Sequence, residues 1–351
     1  MSKKSKRLNL IICGAAFVIM IVFLFFVDDP KEIWKAICSA SPLYMLLTAV
    51  CMLIYWFLEG VILHLVTKEV HSEQTFKNSL SISMIGQYFN CITPFASGGQ
   101  PIQAYYLMKF GVPLGSALTA LLSKFIVYQA MLTIYSAIIL IFKLRYVVET
   151  NPLMMPLVVI GFIINTAVIA ALLMLAFFRK PTVKIAHFAI RLLGKLRIIK
   201  NVDAKLKFVD DEMEMYYKNF QFIKKRPALI FKMCLFTLIQ LTIYFSISFI
   251  IYLAFGLSGT DYITVISCQA FILMISAFVP LPGALGAAEG SYVLFFKGIF
   301  GSYVNLSTVI WRFLTFYMAI IVGMVFSVLV NKKGSFAPPE ENIPGITSQE
   351  K

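Results

Sequence analysis

Long apolar runs are the feature of this sequence that most restricts its fold. The first run covers residues 8–27, and five others have comparable length. A helix of about 20 apolar residues crosses the hydrocarbon core of a bilayer, and hydrocarbon offers the backbone no hydrogen-bond partners outside the segment itself. Hydrophobic residues make up 60% of the chain and charged residues 14%, whereas a soluble domain has about half and a quarter. The sequence therefore predicts an all-α polytopic membrane protein.

The predicted topology contains six full spans. Basic residues precede the first run, which is too long for the apolar core of a signal peptide and lacks a small-residue cleavage motif. We therefore expect a retained first span with a cytoplasmic N-terminus. The predicted spans are residues 8–27, 43–66, 113–142, 153–178, 228–255 and 306–330.

Two further apolar stretches are interrupted by proline and glycine. Proline removes an amide donor and glycine frees the backbone, so residues 93–101 and 280–286 should break their helices. Open backbone is tolerated at membrane depth only where protein buries it or where it lines a wet cavity. The residues expected to form these breaks are Pro94, Pro101, Pro280, Pro282, Gly283 and Gly286.

The layout around these breaks predicts an inverted pseudo-repeat. We interpret residues 76–110 as a re-entrant hairpin that opens to the cytoplasm and residues 262–297 as one that opens to the outside. Paired interruptions in two halves of a membrane protein indicate a site near the bilayer midplane. Eight full spans remain the alternative if either hairpin crosses completely.

Neutral polar residues concentrate in the first hairpin. Ser97 with Gln100 three residues later resembles a capping box, which would start a half-helix with free amides that attract an anion, phosphate above all. The alternative is a polar hinge satisfied by neighbouring helices. The candidate headgroup-binding residues of this hairpin are Gln87, Asn90, Thr93, Ser97, Gly98, Gly99, Gln100 and Gln103.

Four ionisable residues lie within apolar stretches: Glu59, Lys124, Glu289 and Arg312. A charge at the bilayer centre costs about 3 kcal/mol even on the lenient insertion scale, so a functional role is the default hypothesis. Arg312 is the candidate for phosphate, because guanidinium can bind it bidentately. Glu59 and Glu289 are candidates for an amine or a proton, although Glu289 could instead complement a helix dipole. Internal ion pairs, Glu59 with Lys124 and Glu289 with Arg312, are the structural alternative and are compatible with function.

The net charge of +14 is concentrated in loops, as the positive-inside rule expects, so we expect no nucleic-acid partner. Residues 179–227 carry 13 Lys/Arg against 5 Asp/Glu and should be cytoplasmic. Lys184, His187, Arg191 and Lys195 share one helical face there, which favours either an interfacial helix on an anionic leaflet or an ordinary loop helix. The tail at residues 334–351 is rich in Pro, Glu and Ser and should be disordered.

Signatures of enzymes and metal sites are not apparent. The six cysteines and three histidines are scattered without metal-ligand spacing, and no P-loop, HExxH or nucleophile elbow stands in a suitable context. The largest polar loop is short for an independent catalytic domain. We therefore expect no cofactor, no metal and no catalytic residues, although an intramembrane catalyst built from the polar cluster stays open.

Two motifs give the chain a family resemblance. Gly86-Gln-Tyr-Phe-Asn90 runs into Thr93-Pro-Phe-Ala-Ser-Gly-Gly-Gln-Pro101, and Pro280-Leu-Pro-Gly-Ala-Leu-Gly-Ala-Ala-Glu-Gly290 precedes Arg312. In these motifs, over residues 8–332, the chain resembles the lysylphosphatidylglycerol synthase transmembrane-region family, also called flippase-like. That family forms the N-terminal membrane half of the bacterial multiple peptide resistance factor. Ala284 departs from the pattern, in which a further glycine is frequent.

The resemblance implies one transmembrane domain over residues 1–333 in a bacterial cytoplasmic membrane, with both termini cytoplasmic. It implies a lipid flippase or headgroup-binding transporter for an anionic or aminoacylated phospholipid such as lysylphosphatidylglycerol, linked to resistance to cationic antimicrobial peptides. The first alternative is a phosphatidylglycerol lysyltransferase using lysyl-tRNA, although the soluble transferase domain is not in this chain. The second is a membrane scaffold for a separate synthase. Phospholipids and such a synthase are the expected partners, and a homo-oligomer is left open.

Overall fold

The computed structural model describes residues 31, 37–150, 154–195, 201–276 and 279–332, and long helices dominate this part of the chain. The predicted span at residues 8–27 and the tail at residues 334–351 lie outside it. The helices are α1 (Pro42–Val70), α2 (Phe76–Cys91), α3 (Gly99–Lys109), α4 (Leu114–Thr150), α5 (Met154–Phe177), α6 (Arg179–Lys195), α7 (Val202–Lys224), α8 (Pro227–Ala254), α9 (Tyr262–Ser276), α10 (Ala287–Phe300), α11 (Val304–Arg312) and α12 (Met318–Lys332).

The all-α membrane architecture is confirmed. Four of the predicted spans correspond to α1, α4, α5 and α8, each of which is long and apolar enough to cross a bilayer. Proline at the first position of α1 and of α8 suits a helix start, because its missing amide hydrogen would have no partner there.

The sixth predicted span corresponds to α11 and α12, joined by a π-helical turn at Phe313–Tyr317. The continuous apolar stretch Ala287–Asn331 is 45 residues long, far more than one crossing needs. Gly301, with φ 56° and ψ −126°, ends α10 and separates it from this span. The stretch is therefore a short helix followed by a long one.

Residues 143–152, which the predicted topology leaves between two spans, are helical for most of their length. The helix α4 continues to Thr150, with non-helical dihedral angles at Lys143 marking a kink. No proline or glycine follows Lys143 until Pro152, so nothing in the backbone chemistry ends the helix where the apolar run ends.

The two halves of the molecule are inverted relative to each other. Helices α1 and α8 pack side by side and run antiparallel: the amide of Ser41 donates to the carbonyl of Ala254 (2.8 Å), and Arg226 pairs with Glu69 at the opposite end. The pair α2–α3 follows the end of α1, and α9–α10 follows the end of α8. The two pairs therefore enter the helix bundle from opposite ends, as the predicted inverted repeat requires.

Each of these pairs is a hairpin of short helices. At about 1.5 Å per residue, the 16 residues of α2, 11 of α3, 15 of α9 and 14 of α10 are each too short to cross 30 Å of hydrocarbon. The side chain of Thr75 caps α2 and that of Asp261 caps α9 by accepting amide hydrogen bonds from Asn78 and Thr264. The lengths thus agree with the re-entrant interpretation and disfavour eight full spans.

Candidate functional site

The two helix breaks meet each other. Pro94, between α2 and α3, pairs with Pro282, between α9 and α10, in an antiparallel backbone bridge. Neither proline has an amide hydrogen, so the neighbouring residues must supply the donors of such a pairing. The bridge thereby brings together the non-helical backbone of the two breaks.

The two breaks also have the same backbone conformation. Phe95 and Ala96 have φ of 55° and 50°, and the corresponding Gly283 and Ala284 have φ of 58° and 54°. Each break contains two successive turns: Ala96 donates to the carbonyl of Thr93 (3.2 Å) as Ala284 does to that of Leu281 (3.0 Å). Similar local sequences thus fold alike in the two halves, which supports an internal repeat.

A sequence signal for this repeat was missed. The pattern Pro-x-Ala-x-Gly occurs at residues 94–98 and again at residues 282–286, a separation of 188 positions. The same separation relates Lys124 of α4 to Arg312 of α11. An internal comparison at this single offset would have identified the repeat and paired the two buried cations.

The first break is capped from within its own hairpin. The hydroxyl of Thr93 accepts a hydrogen bond from the amide of Gly98 (2.8 Å), and the side-chain oxygen of Asn90 accepts one from the amide of Gly99 (2.9 Å). The capping box expected at Ser97 is wrong, since its hydroxyl donates to the carbonyl of Pro94 (2.9 Å). Gly99 leaves no room for a side chain, because an added Cβ would lie 2.1 Å from the Asn90 oxygen.

The second break is capped by a carboxylate that also binds Arg312. One oxygen of Glu289 accepts from the amide of Gly286 (2.7 Å), and the other accepts from Nε of Arg312 (2.6 Å). Arg312 also donates from Nη2 to the carbonyl of Gly283, and its guanidinium lies 4.2 Å from the ring centre of Phe316. Glu289 therefore both complements the start of α10 and fixes the orientation of Arg312.

Phe316 covers the second break closely. A Cβ added to Gly283 would lie 1.9 Å from the Phe316 ring, and the positive φ at Gly283 also favours glycine. Pro282 and Ala284 are buried, whereas Pro94, Phe95 and Ala96 are exposed. The two breaks thus have similar backbone conformations but differ in how far the rest of the protein buries them.

The second ion pair joins Glu59 of α1 to Lys124 of α4, and both side chains are 10% exposed. Gln240 donates to the other carboxylate oxygen of Glu59 (2.8 Å), and the side chain of Gln87 lies close to Glu59. Gln240, which is completely buried in α8, was missed, although a glutamine within an apolar span was visible in the sequence. Both ion pairs considered from the sequence are therefore present.

Three tyrosines connect the surroundings of the two pairs. Tyr128 lies close to both Tyr55 and Glu59. The rings of Tyr55 and Tyr244 lie 5.3 Å apart, and Tyr244 lies close to Arg312. These three tyrosines therefore occupy the space between Glu59 and Arg312.

The remaining predicted site residues are placed as follows. Gln103 is buried and packs against Gly86, where a Cβ would meet its side chain at 2.3 Å. Gln100 is half-buried, and Pro101 and Pro280 are exposed.

The arrangement offers two buried cations, each held by one carboxylate, and one of these pairs, Arg312–Glu289, contacts the second break. Arg312 has five N–H donors, of which Glu289 and Gly283 use two. Such a pair can exchange its internal partner for a ligand that carries both an anion and an amine. The chemistry is that of ionic recognition.

Comparison with known proteins identifies the family of the chain. The UPF0104 membrane protein of Methanothermobacter thermautotrophicus is 23% identical to the chain over 339 residues, covering 92% of this chain and 94% of that protein. A UPF0104 membrane protein of Methanocaldococcus jannaschii is 20% identical over 342 residues, covering 94% and 97%. The family model described as lysylphosphatidylglycerol synthase TM region matches residues 11–323. The chain therefore belongs to the lysylphosphatidylglycerol synthase TM region family.

Proposed function

We propose that the protein binds the headgroup of an anionic or aminoacylated phospholipid between its two helix breaks and moves the lipid between leaflets. The observation that carries this proposal is the meeting of Pro94 with Pro282 next to the buried pair Arg312–Glu289, which contacts the second break. The cation of the other buried pair, Lys124, lies one repeat interval before Arg312 in the chain. Broken helices at a repeat interface are the usual binding element of inverted-repeat transporters.

The headgroup phosphate would bind Arg312, whose guanidinium is oriented by Glu289 and stacked on Phe316. An amine on the headgroup, as in lysylphosphatidylglycerol, would bind Glu289 or Glu59. The acyl chains would remain in the surrounding lipid. A headgroup that carries both a phosphate and a primary amine could bind Arg312 and Glu289 together, whereas the quaternary ammonium of phosphatidylcholine has no N–H to donate to the carboxylate.

Transport would follow from the inverted repeat. The first break is exposed at Pro94 and Phe95, whereas Phe316 covers Gly283 in the second. A conformation in which the second break is exposed and the first is covered would open the site to the opposite side of the membrane. We propose a bacterial cytoplasmic membrane as the location, as the family resemblance implies, with both termini in the cytoplasm, as the distribution of positive charge indicates. Outward movement of an aminoacylated lipid would reduce the negative charge of the outer leaflet and so weaken the binding of cationic antimicrobial peptides.

The direct test is reconstitution of the purified protein in liposomes with fluorescent phosphatidylglycerol, lysylphosphatidylglycerol or phosphatidylcholine. Bleaching of outer-leaflet label by a membrane-impermeant reductant measures translocation. We expect translocation of at least one of the two charged lipids above that of phosphatidylcholine. Absence of translocation for all three lipids would reject the transport proposal.

Variants then test the site. Glu289→Gln retains an oxygen for the Gly286 amide but removes the charge that Arg312 faces, so it should lose translocation. Thermal unfolding in detergent confirms that the comparison is made on folded protein. Asp261→Asn is the matched control, because it neutralises a carboxylate in an ion pair, with Lys143, far from either break in the fold. Equal translocation by Glu289→Gln and wild type would reject the assigned site.

The same preparation separates the alternatives. A phosphatidylglycerol lysyltransferase would produce lysylphosphatidylglycerol from lysyl-tRNA and phosphatidylglycerol in these liposomes without any partner. A scaffold would give neither product nor translocation but would co-purify with a separate synthase.

A further inference from the structure

The helix α6 carries an apolar strip that nothing in the described residues covers. Ile185, Phe188 and Leu192 are spaced three and four residues apart, so they share one helical face. They are 52%, 68% and 45% exposed. The helix lies outside the segments apolar enough to span a membrane. Such a strip needs an apolar environment that water does not provide.

The opposite face of α6 is fixed to the body of the protein. Val183, Ala186 and Ile190 are half-buried on the side that packs against α7, and His187 pairs with Asp210 of α7 at 2.7 Å. The exposed strip is therefore held in one orientation.

Helix α7 is in turn attached to the transmembrane helices. The carboxylate of Glu212 accepts a hydrogen bond from the amide of Gly115 at the start of α4 (2.5 Å), and the hydroxyl of Tyr217 donates to the carbonyl of Leu175 in α5 (2.9 Å). Because these contacts lie at the ends of spanning helices, they place the α6–α7 pair at the level of the membrane surface.

The strip follows closely on a spanning helix. Only Phe178 separates the end of α5 from the start of α6, and both Phe177 and Phe178 are exposed. Within α5, Ile160 and Ile163 are exposed as well, as expected for a helix in contact with acyl chains. The exposed basic residues Arg179 and Lys180 lie between this apolar surface and the strip on α6, as expected where a chain passes from the acyl region into the headgroup region.

Positive charge borders the strip. Helix α6 contains five Lys/Arg and no acidic residue. Lys184 lies one turn from Phe188, and Arg191 and Lys195 lie beside Leu192 along the helix. An apolar face edged by basic side chains is suited to the headgroup region of an anionic leaflet, where apolar residues enter the acyl boundary and cations meet phosphate.

We propose that α6 lies in the interface of the membrane leaflet at the α6–α7 end of the bundle, with Ile185, Phe188 and Leu192 among the acyl chains and Lys184, Arg191 and Lys195 on anionic headgroups. A second copy of the chain is a poorer occupant, because its α6 would present the same positive charges. The segment at residues 1–36 is also poorer, since its apolar run follows four basic residues. This inference stands independently of lipid transport.

Spin labels placed on cysteine in a cysteine-free background test the proposal in vesicles of phosphatidylglycerol and phosphatidylcholine. Oxygen collides preferentially with labels in acyl chains, and a water-soluble nickel chelate collides with labels in water. We expect a higher ratio of oxygen to nickel accessibility for Phe188→Cys than for Lys218→Cys, an exposed position on α7. Removing phosphatidylglycerol, or combining Lys184→Gln, Arg191→Gln and Lys195→Gln, should lower the ratio at position 188.

Two results would overturn the proposal. Nickel accessibility at position 188 equal to that at position 218 would show that the strip faces water. Low accessibility of position 188 to both reagents would show that protein covers it instead. Unchanged thermal unfolding of the labelled variants in detergent confirms that the comparison is made on folded protein.

Discussion

Pro94 and Pro282 are paired in the folded protein although 188 positions separate them in the chain. Each stands at the point where a short helix has ended inside the bundle and the next has not begun. The bridge brings the irregular backbone of the two breaks together, and contact with protein is one way in which such backbone is tolerated at membrane depth. It also fixes the relative position of two hairpins that enter from opposite ends.

The repeat is imperfect at the residue that follows each proline. Gly283 adopts its positive φ without strain, whereas Phe95 adopts a φ of 55° with a bulky side chain, a conformation that is uncommon for such residues. Strain of this kind costs about 1–3 kcal/mol and persists where the surroundings impose it, often at functional sites. The first break is therefore the more strained of the two.

The close contact at the second break predicts the effect of Gly283→Ala. The new methyl group would overlap Phe316 and would require an alanine at positive φ, so we expect a loss of at least about 1 kcal/mol in stability. Gly290→Ala is the control, since a Cβ there meets nothing within 4 Å and alanine favours the helix. Thermal unfolding in detergent compares them. Equal unfolding midpoints would contradict the observed packing.

The buried pair Glu59–Lys124 predicts non-additive effects. Lys124→Met alone leaves the carboxylate of Glu59 without its cation and should cost about 3–5 kcal/mol. The double variant Glu59→Gln with Lys124→Met removes both charges and should be more stable than Lys124→Met alone. Glu69→Gln, in the more exposed pair with Arg226, should cost at most about 1 kcal/mol. Additive losses in a double-mutant cycle would indicate that the two side chains are not coupled.

The cap of the first break predicts different effects for two neighbouring hydroxyls. Thr93→Val removes the acceptor of the Gly98 amide and should cost about 1 kcal/mol. Ser97→Ala removes only a donor to the carbonyl of Pro94 in an exposed turn and should be close to neutral. Unfolding midpoints in detergent decide between them. A larger loss of stability for Ser97→Ala than for Thr93→Val would support the capping role that the sequence predicted for Ser97.

The pair Lys143–Asp261 predicts a dependence on pH outside the membrane. Partial burial alone would raise the pKa of Asp261, but hydrogen bonds from Lys143 and Thr264 outweigh it and lower the pKa from 3.8 to about 2. A lowered pKa stabilises the fold above pH 3.8, and this contribution is lost as the pH falls towards 2. Asp261→Asn should therefore be less stable than wild type at pH 7, by at most about 1 kcal/mol, with the difference shrinking below pH 4. A difference that does not vary with pH would exclude the carboxylate as its source.

Much of this architecture is predictable because hydrocarbon leaves few options. Apolar length alone locates the spans that include Glu59 and Lys124, and proline with glycine locates both breaks. An unpaired charge within an apolar helix is costly, so opposite charges in such helices are expected to pair. The sequence alone therefore indicated the pairing of Glu289 with Arg312. The hairpins follow from helices too short to cross.

The parts that could not be predicted depend on atoms brought together from different helices. Ser97 fits the sequence pattern of a cap, but Thr93 and Asn90 accept the hydrogen bonds from the amides of Gly98 and Gly99 instead. They can do so because the turn after Pro94 folds back on α2. Gln240 joins Glu59 from a helix distant in sequence. Helix α4 continues beyond Lys143 because membrane thickness limits an apolar run and does not limit a helix.

The central claim is that a headgroup passes between the two breaks, and a cross-link between them tests it most directly. Residues opposite each other in a non-hydrogen-bonded antiparallel pair have Cα atoms about 4.5 Å apart, within the range that a disulfide accepts. Pro94→Cys with Pro282→Cys, in a cysteine-free background, should therefore cross-link on oxidation. Pro94→Cys with Gly290→Cys is the control pair.

The decisive measurement is lipid translocation by the Pro94→Cys, Pro282→Cys protein in liposomes before oxidation, after oxidation and after reduction. We predict that the cross-link forms, that translocation stops while it is present, and that a reductant restores the rate. A complete cross-link with an unchanged rate, or cross-linking no greater than in the control pair, would contradict the account.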